Sequence, residues 1–259
     1  MLESGKFDMG LSALSPFPDE ERNTELPTAL KFFQEVYTTD LYEGADYIWR
    51  ARPAEDVLEM LSDGVSSQVE TPSQVQTLRN IEQLATDEHE RLKTFGVQFN
   101  GEFIVHDVND VPCLVSAVPK ILIHTAETPE QLFHSDEEWG EYARSFIKLH
   151  KSLLSYFDAS LSRGLPLLYD DAKREQYVYG DSDSGTKDFV LVDADMIYGN
   201  DDENYKKFIH DGKTSVEDLL SFVKEYRPAA MTGEITRDFK ELVVRYEERG
   251  RQLGEEETN

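Results

Sequence analysis

The sequence predicts an α+β fold in which strands and helices are segregated along the chain. Three observations carry this: strand-like residues cluster around a single helical run before residue 118, a long helical run with a capped start follows Ser135, and the C-terminal stretch is helix-patterned. A steady βαβ alternation, the mark of a parallel sheet, is missing from that order.

Residues 1–28 are rich in Gly, Ser, Pro and charge, which predicts an irregular segment ahead of the core. Residues 30–53, LKFFQEVYTTDLYEGADYIWRARP, are aromatic and β-branched, with Tyr42-Glu43-Gly44-Ala45-Asp46 as a turn. They are expected to form a hairpin closed by Pro53. After Pro72, Val75, Leu78, Ile81, Leu84 and Ala85 recur at three and four residues, predicting an amphipathic helix that runs towards Leu92 and stops at Gly96.

The segment VQFNGEFIVHDVNDVPCLVSAVPKILI reads as strands turned at Asn100-Gly101 and Asn109-Asp110, and residues 112–118 are apolar enough for a central strand. From Ser135 the period returns to that of a helix. Ser135 caps it, Glu137 and Glu138 suit its first turn, and Trp139, Tyr142, Ala143, Phe146, Leu149 and Leu153 line one face. Gly164 and Pro166 end it. Two strand-like runs, 176–179 and 189–192, flank the polar turn GDSDSGTKD. Val216, Leu219, Leu220 and Val223, then Phe239, Leu242 and Val243, mark two more helices, and the tail after Gly250 is expected to fray.

Composition narrows the function. Fifty-two acidic residues against 26 basic give a net charge of -26, which opposes binding to a polyanion, so no nucleic-acid partner is expected. The acidity itself reads as a solvated surface. One cysteine, Cys113, makes an intrachain disulfide impossible, which predicts a reducing, cytoplasmic setting. No apolar stretch approaches bilayer length, and the N-terminus lacks the basic start and apolar core of a leader, so no membrane attachment is expected.

Several chemistries fail on spacing. The turn beginning at Asp181 places Gly185 at a ligand position of a calcium loop, Thr186 at its required glycine and Val192 at its bidentate glutamate. His89, His106, His124, His134, His150 and His210 are dispersed, with none at zinc spacing, and each reads as a surface or satisfied polar residue. No G-x-S-x-G occurs, and Cys113 in an apolar strand reads as a small core residue.

One segment does carry chemistry. LLYDDAKREQYVYG followed by FVLVDADM resembles the catalytic-loop region of the protein-kinase-like superfamily, which includes the aminoglycoside phosphotransferases. Against the pattern H-G-D-x-K-P-E-N and the later D-F-G, the resemblance places Asp171 at the catalytic Asp, Lys173 at the Lys, Gln176 at the Asn and Asp193 at the metal-binding Asp. It implies ATP and magnesium as cofactors. Asp171 would accept the substrate hydroxyl proton, Asp193 and Gln176 would hold metal, and Lys173 would neutralise the transferred phosphoryl group. It also implies a two-lobed fold: an N-terminal lobe over 29–118, a mainly helical C-terminal lobe over 119–250, and a tail over 251–259.

The chain departs from the pattern at Tyr169, Arg174, Ala194 and Asp195. It has no G-x-G-x-x-G, and no lysine lies between Lys31 and Lys93. Arg50 and Arg52 stand where the family puts its phosphate-binding Lys, with Glu82 or Glu88 to face them from the helix. Three functions follow as expectations: a phosphotransferase with a small-molecule or protein substrate, a pseudokinase-like binding protein, or an unrelated α+β interaction module. Without the family pattern, Asp170 and Asp171 read as turn formers entering a hairpin, and Asp193 as a strand-ending carboxylate.

Overall fold

The structure, a computed structural model, describes residues 19–35, 41–57, 74–99, 101–119, 133–165, 167, 177–181, 187–191 and 202–255. Its first element is a helix, α1 (Asp19–Glu35), where the sequence predicts irregular chain and then strand. The reason is tertiary. Ala29 and Phe33, four residues apart, bury one face of α1 on a sheet, and that burial overrides the strand preference of the aromatic run and the presence of Pro27 inside the helix. The Glu25 carboxylate accepts from the Asp46 backbone N–H at 2.6 Å and from Trp49 Nε1 at 3.2 Å. Gly44 lies close beside it: a Cβ there would stand 2.1 Å from a Glu25 oxygen, so the carboxylate would have to shift.

The predicted hairpin forms from β1 (Leu41–Glu43) and β2 (Tyr47–Pro53), and residues 54–57 then turn helical. Helix α2 (Gln74–Thr94) ends as expected: Gly96 takes φ 80°, with Gly96 N–H bonded to Lys93 O and Val97 N–H to Leu92 O. Its apolar stripe is narrower than predicted, since Val75 and Leu84 are 38% and 41% exposed. Strands β3 (Gln98–Phe99), β4 (Glu102–Val108) and β5 (Val111–Pro119) follow. Asn109 and Asp110, with φ 54° and 63°, make the two-residue turn joining β4 to β5. The antiparallel sheet runs β1-β2-β5-β4, so β5 is central as its composition predicts.

Helix α3 (Asp136–Leu161) begins with a reciprocal cap: Ser135 Oγ accepts from the Glu138 N–H at 3.2 Å, and Glu138 Oε2 accepts from the Ser135 N–H at 2.8 Å. All six residues predicted to line its face are buried. Strands β6 (Tyr177–Asp181) and β7 (Lys187–Leu191) form the expected hairpin, and β3 adds to β7 in parallel. The hairpin lies on α3, with Phe189 ring centroids 5.0 Å from Tyr142 and 5.1 Å from Phe146. Ser145 and Lys148 both donate to the Asp188 carboxylate, which fastens β7 to α3.

Helices α4 (Asp202–Tyr226) and α5 (Gly233–Glu255) complete the chain, joined through a 3₁₀ turn at Pro228–Ala230. The fraying expected after Gly250 does not occur before Glu255, because Leu253 is buried in the main core. Among the described residues no helix is long and apolar enough to cross a membrane.

Helix α4 approaches α5 closely at Gly212, where a Cβ would stand 2.5 Å from Tyr246 Cε1. Alanine normally stabilises a helix interior over glycine by about 1 kcal/mol. Gly212→Ala is expected to reverse that sign and destabilise by ~1–2 kcal/mol, because the buried ring must shift. Gly250→Ala, where the new Cβ meets only Ile209 Cγ2 at 3.6 Å, is expected to stabilise. Urea unfolding of both variants measures the contrast.

Candidate functional site

Alternation along β2 fixes the side on which its arginines stand. Tyr47, Trp49 and Ala51 are buried towards α1, so Ile48, Arg50 and Arg52 occupy the other face. Arg52 pairs in register with Leu114, and Arg50 with Ser116, which pairs in turn with Phe103. Leu114 and Phe103 pack with Leu78 and Ile81 of α2. Both arginines are therefore half-buried on the sheet face that α2 covers.

Glu82 borders the buried stripe of α2 and is itself half-buried. Burial raises its carboxyl above the ordinary carboxylate range, opposed by the positive charge of Arg79. Arg79 is the charge that bears on it, and among the described residues no ion pair joins Glu82 to Arg50 or Arg52. The pairing implied by the kinase pattern is not made through this residue.

Glu88 is committed elsewhere. Its oxygens accept from Arg91 Nε at 3.0 and 2.8 Å, and Oε2 accepts from the Tyr156 hydroxyl at 3.1 Å. Arg91 Nη2 donates to Ser160 Oγ at 2.9 Å, while its guanidinium carbon lies 4.4 Å from the Tyr156 ring centroid. Glu88 is 7% exposed, so this is a buried charge network between α2 and α3. A signal for it stands in the sequence, because Glu88 occupies the apolar phase of Leu78, Ile81, Ala85 and Leu92.

Two of the six histidines, read from the sequence as surface or satisfied polar residues, are buried in the core. His89 is buried and stacked on Phe103, with ring centroids 5.7 Å apart; burial first, then the Lys93 charge, pushes its pKa down to about 3. His150 is fully buried, its Nδ1 2.8 Å from the Tyr246 hydroxyl, and burial pushes it down to about 3 as well. Among the described residues no hydrogen-bond partner reaches His150 Nε2. Both rings are therefore neutral core groups.

Asp171, Lys173, Gln176 and Asp193 lie outside the described residues, as does the turn over 182–186. The elements leading to them are described. Leu167 is buried, β6 begins one residue after Gln176, and β7 ends at Leu191, paired with Phe99 and two residues short of Asp193. Among the described residues no group of three or more His, Cys, Asp or Glu side chains is arranged to hold a metal ion.

A groove of about 600 Å³ lies between α3, the end of α2 and the start of α5, and none of Arg50, Arg52 and Glu82 lines it. Its cations are Arg144, Lys148 and Lys151, of which Lys148 pairs with Asp188 and Lys151 with Asp238. Compared with protein-family models, characterised proteins and solved structures, the chain matches none.

Arg91→Ala is expected to destabilise the protein by roughly 3 kcal/mol, because it leaves the Glu88 carboxylate buried and uncompensated. Adding Glu88→Gln should recover part of that loss, which a double-mutant cycle in urea measures. The histidines predict acid sensitivity. Their folded values lie below the unfolded value of about 6.5, so the unfolded chain takes up protons first and stability is lost as pH falls from about 6.5 towards 3. At pH 5 the expected loss is roughly 2 kcal/mol per histidine. His150→Phe should flatten the dependence of the urea midpoint on pH between 7 and 5.

Proposed function

We propose that this chain is a magnesium- and nucleotide-dependent phosphotransferase with a two-lobed, kinase-like arrangement. The observation that carries the reading is the half-buried pair Arg50 and Arg52, presented on the sheet face towards an inserted helix, in the part of the fold where the family pattern keeps its phosphate-binding cation. Further support comes from the order along the chain: a long helix, the segment with Asp171, the β6–β7 hairpin, then Asp193.

In this reading Arg50 and Arg52 bind nucleotide phosphates, and guanidinium groups suit that role because their planar forks meet two oxygens at once. Asp171 takes the proton of the acceptor hydroxyl as its oxygen bonds to the terminal phosphorus, and the bond to the nucleoside diphosphate breaks. Lys173 balances the charge on the transferred group. Asp193 and Gln176 are the residues that would hold magnesium, which when bound offsets phosphate charge.

A second reading, a pseudokinase-like protein that binds without transferring, is favoured by the charge pattern of α2. Among the described residues Glu82 forms no ion pair with either arginine, and Glu88 is held by Arg91 and Tyr156. Active kinases need the equivalent cation–glutamate pair in place.

Thermal denaturation with millimolar ATP, with and without magnesium, separates the readings. At 100-fold excess over Kd a ligand bound only to the folded state adds about 2.7 kcal/mol, which raises Tm by several degrees. The phosphotransferase reading expects a magnesium-dependent rise lost in Asp193→Ala and in Arg52→Ala. A rise that ignores magnesium and Asp193→Ala but disappears in Arg52→Ala assigns the second reading. No rise at all overturns both.

A further inference from the structure

The groove between α3, the end of α2 and the start of α5 is layered by polarity. Its floor is apolar: Ile147 and Ile235 are 4% and 2% exposed and belong to the main core, and Phe95 packs against that core. Lys151, Ser152 and Asp238 are half-buried on its sides, while Arg144, Lys148 and Glu234 stand exposed at its rim.

Helical spacing sets the charges on two facing walls. Arg144, Lys148 and Lys151 recur at four and three residues and so share one face of α3; Glu234 and Asp238, four residues apart, share one face of α5. A basic wall therefore meets an acidic one. Lys151 Nζ already reaches across to Asp238 Oδ2 at 3.0 Å, and Lys148 is drawn off to Asp188 of β7. Of the lining charges this leaves Arg144 and Glu234, which form no ion pair among the described residues.

The two remaining charges decide what chemistry the groove accepts. A plain anion drawn to Arg144 would also face two carboxylates, and a plain cation drawn to Glu234 would face three basic groups. A molecule carrying one charge of each sign answers both walls. The apolar floor favours an apolar body between those charges. Thr94 and Ser155 add acceptors for amide N–H groups: their hydroxyls donate to Arg91 O at 2.7 Å and Lys151 O at 2.9 Å, which leaves oxygen lone pairs directed outward from each helix. The volume of about 600 Å³ falls within the roughly 300–1,000 Å³ of small-molecule sites.

We propose that this groove binds a short apolar peptide with free ends, its carboxylate on Arg144, its ammonium on Glu234 and its side chains on Ile147, Ile235 and Phe95. The site shares no residue with the proposed phosphotransfer machinery, and the inference requires no nucleotide.

A methyl NMR titration of the full chain with leucyl-leucine tests it, with the N-acetylated and the C-amidated dipeptides for comparison. The free dipeptide is expected to shift the Ile147 and Ile235 methyl signals saturably at millimolar concentration. Each blocked form should bind about two- to fivefold more weakly, the range set by one exposed ion pair. Arg144→Gln should abolish the preference over the amide and keep the preference over the acetylated form; Glu234→Gln should do the reverse. Both side chains are exposed, so neither substitution is expected to move the urea midpoint. Unchanged Ile147 and Ile235 signals, a blocked form binding as tightly as the free dipeptide, or variants that retain both preferences would each overturn the proposal.

Discussion

Helix α3 is apolar around most of its circumference, and enclosing it is the constraint on which the rest of the body depends. Trp139, Tyr142, Phe146, Ile147, His150, Leu153, Tyr156 and Phe157 are all buried. A helix with buried residues on several faces cannot lie on a surface and must be surrounded. The β6–β7 hairpin covers it at Phe146 and Tyr142, α4 reaches it through Phe208 stacked on Phe157, and α5 through Tyr246 bonded to His150. Because α3 has no other place to be, the hairpin preceding Asp193 is positioned by the same burial that stabilises the core.

The attachment of α2 adds a polar condition to that apolar one. A buried carboxylate and guanidinium gain little net stability once their desolvation is counted, but they impose one relative position of two helices. Arg91 meets Glu88, Ser160 and the Tyr156 ring together, so small displacements of α2 along α3 break several contacts at once. On its other side α2 meets the sheet through aliphatic and aromatic groups, Leu78 and Ile81 packing with Leu114 and Phe103.

The candidate site was legible in the sequence to an uneven degree. The alternation of DYIWRAR alone puts Arg50 and Arg52 on the face opposite Tyr47, Trp49 and Ala51, since side chains of a strand point alternately to its two sides. Which of the two faces would receive α2 and which α1 was not legible, because the helices choose their faces by fit and not by any local signal. Glu82 was expected to face a cation, yet its neighbouring charge is Arg79 on its own helix. Glu88 and Arg91 were visible as a helical pair, whereas Tyr156 and Ser160, 68 and 69 residues away, were not. His150 occupies the stripe of Ile147 and Leu154, a position whose burial the helical period alone would have flagged.

By itself the sequence determined the local elements whose signals are local forces: the Ser135 cap with Glu138, the Gly96 stop, the Asn109-Asp110 turn, the β6–β7 hairpin and the central place of β5. Caps and turns act within a few residues, so their chemistry is written contiguously. Only the tertiary structure decided that residues 30–35 are helix and not strand, that the chain after Gly250 stays helical to Glu255, and that Glu88 turns to α3 and not to the sheet. Those outcomes rest on burial of Phe33 against Trp49 and its neighbours, of Leu253 in the main core, and of a carboxylate beside Tyr156. Each is a contact between residues distant in the chain, and the free energy of such a contact exists only once the fold has brought its partners together.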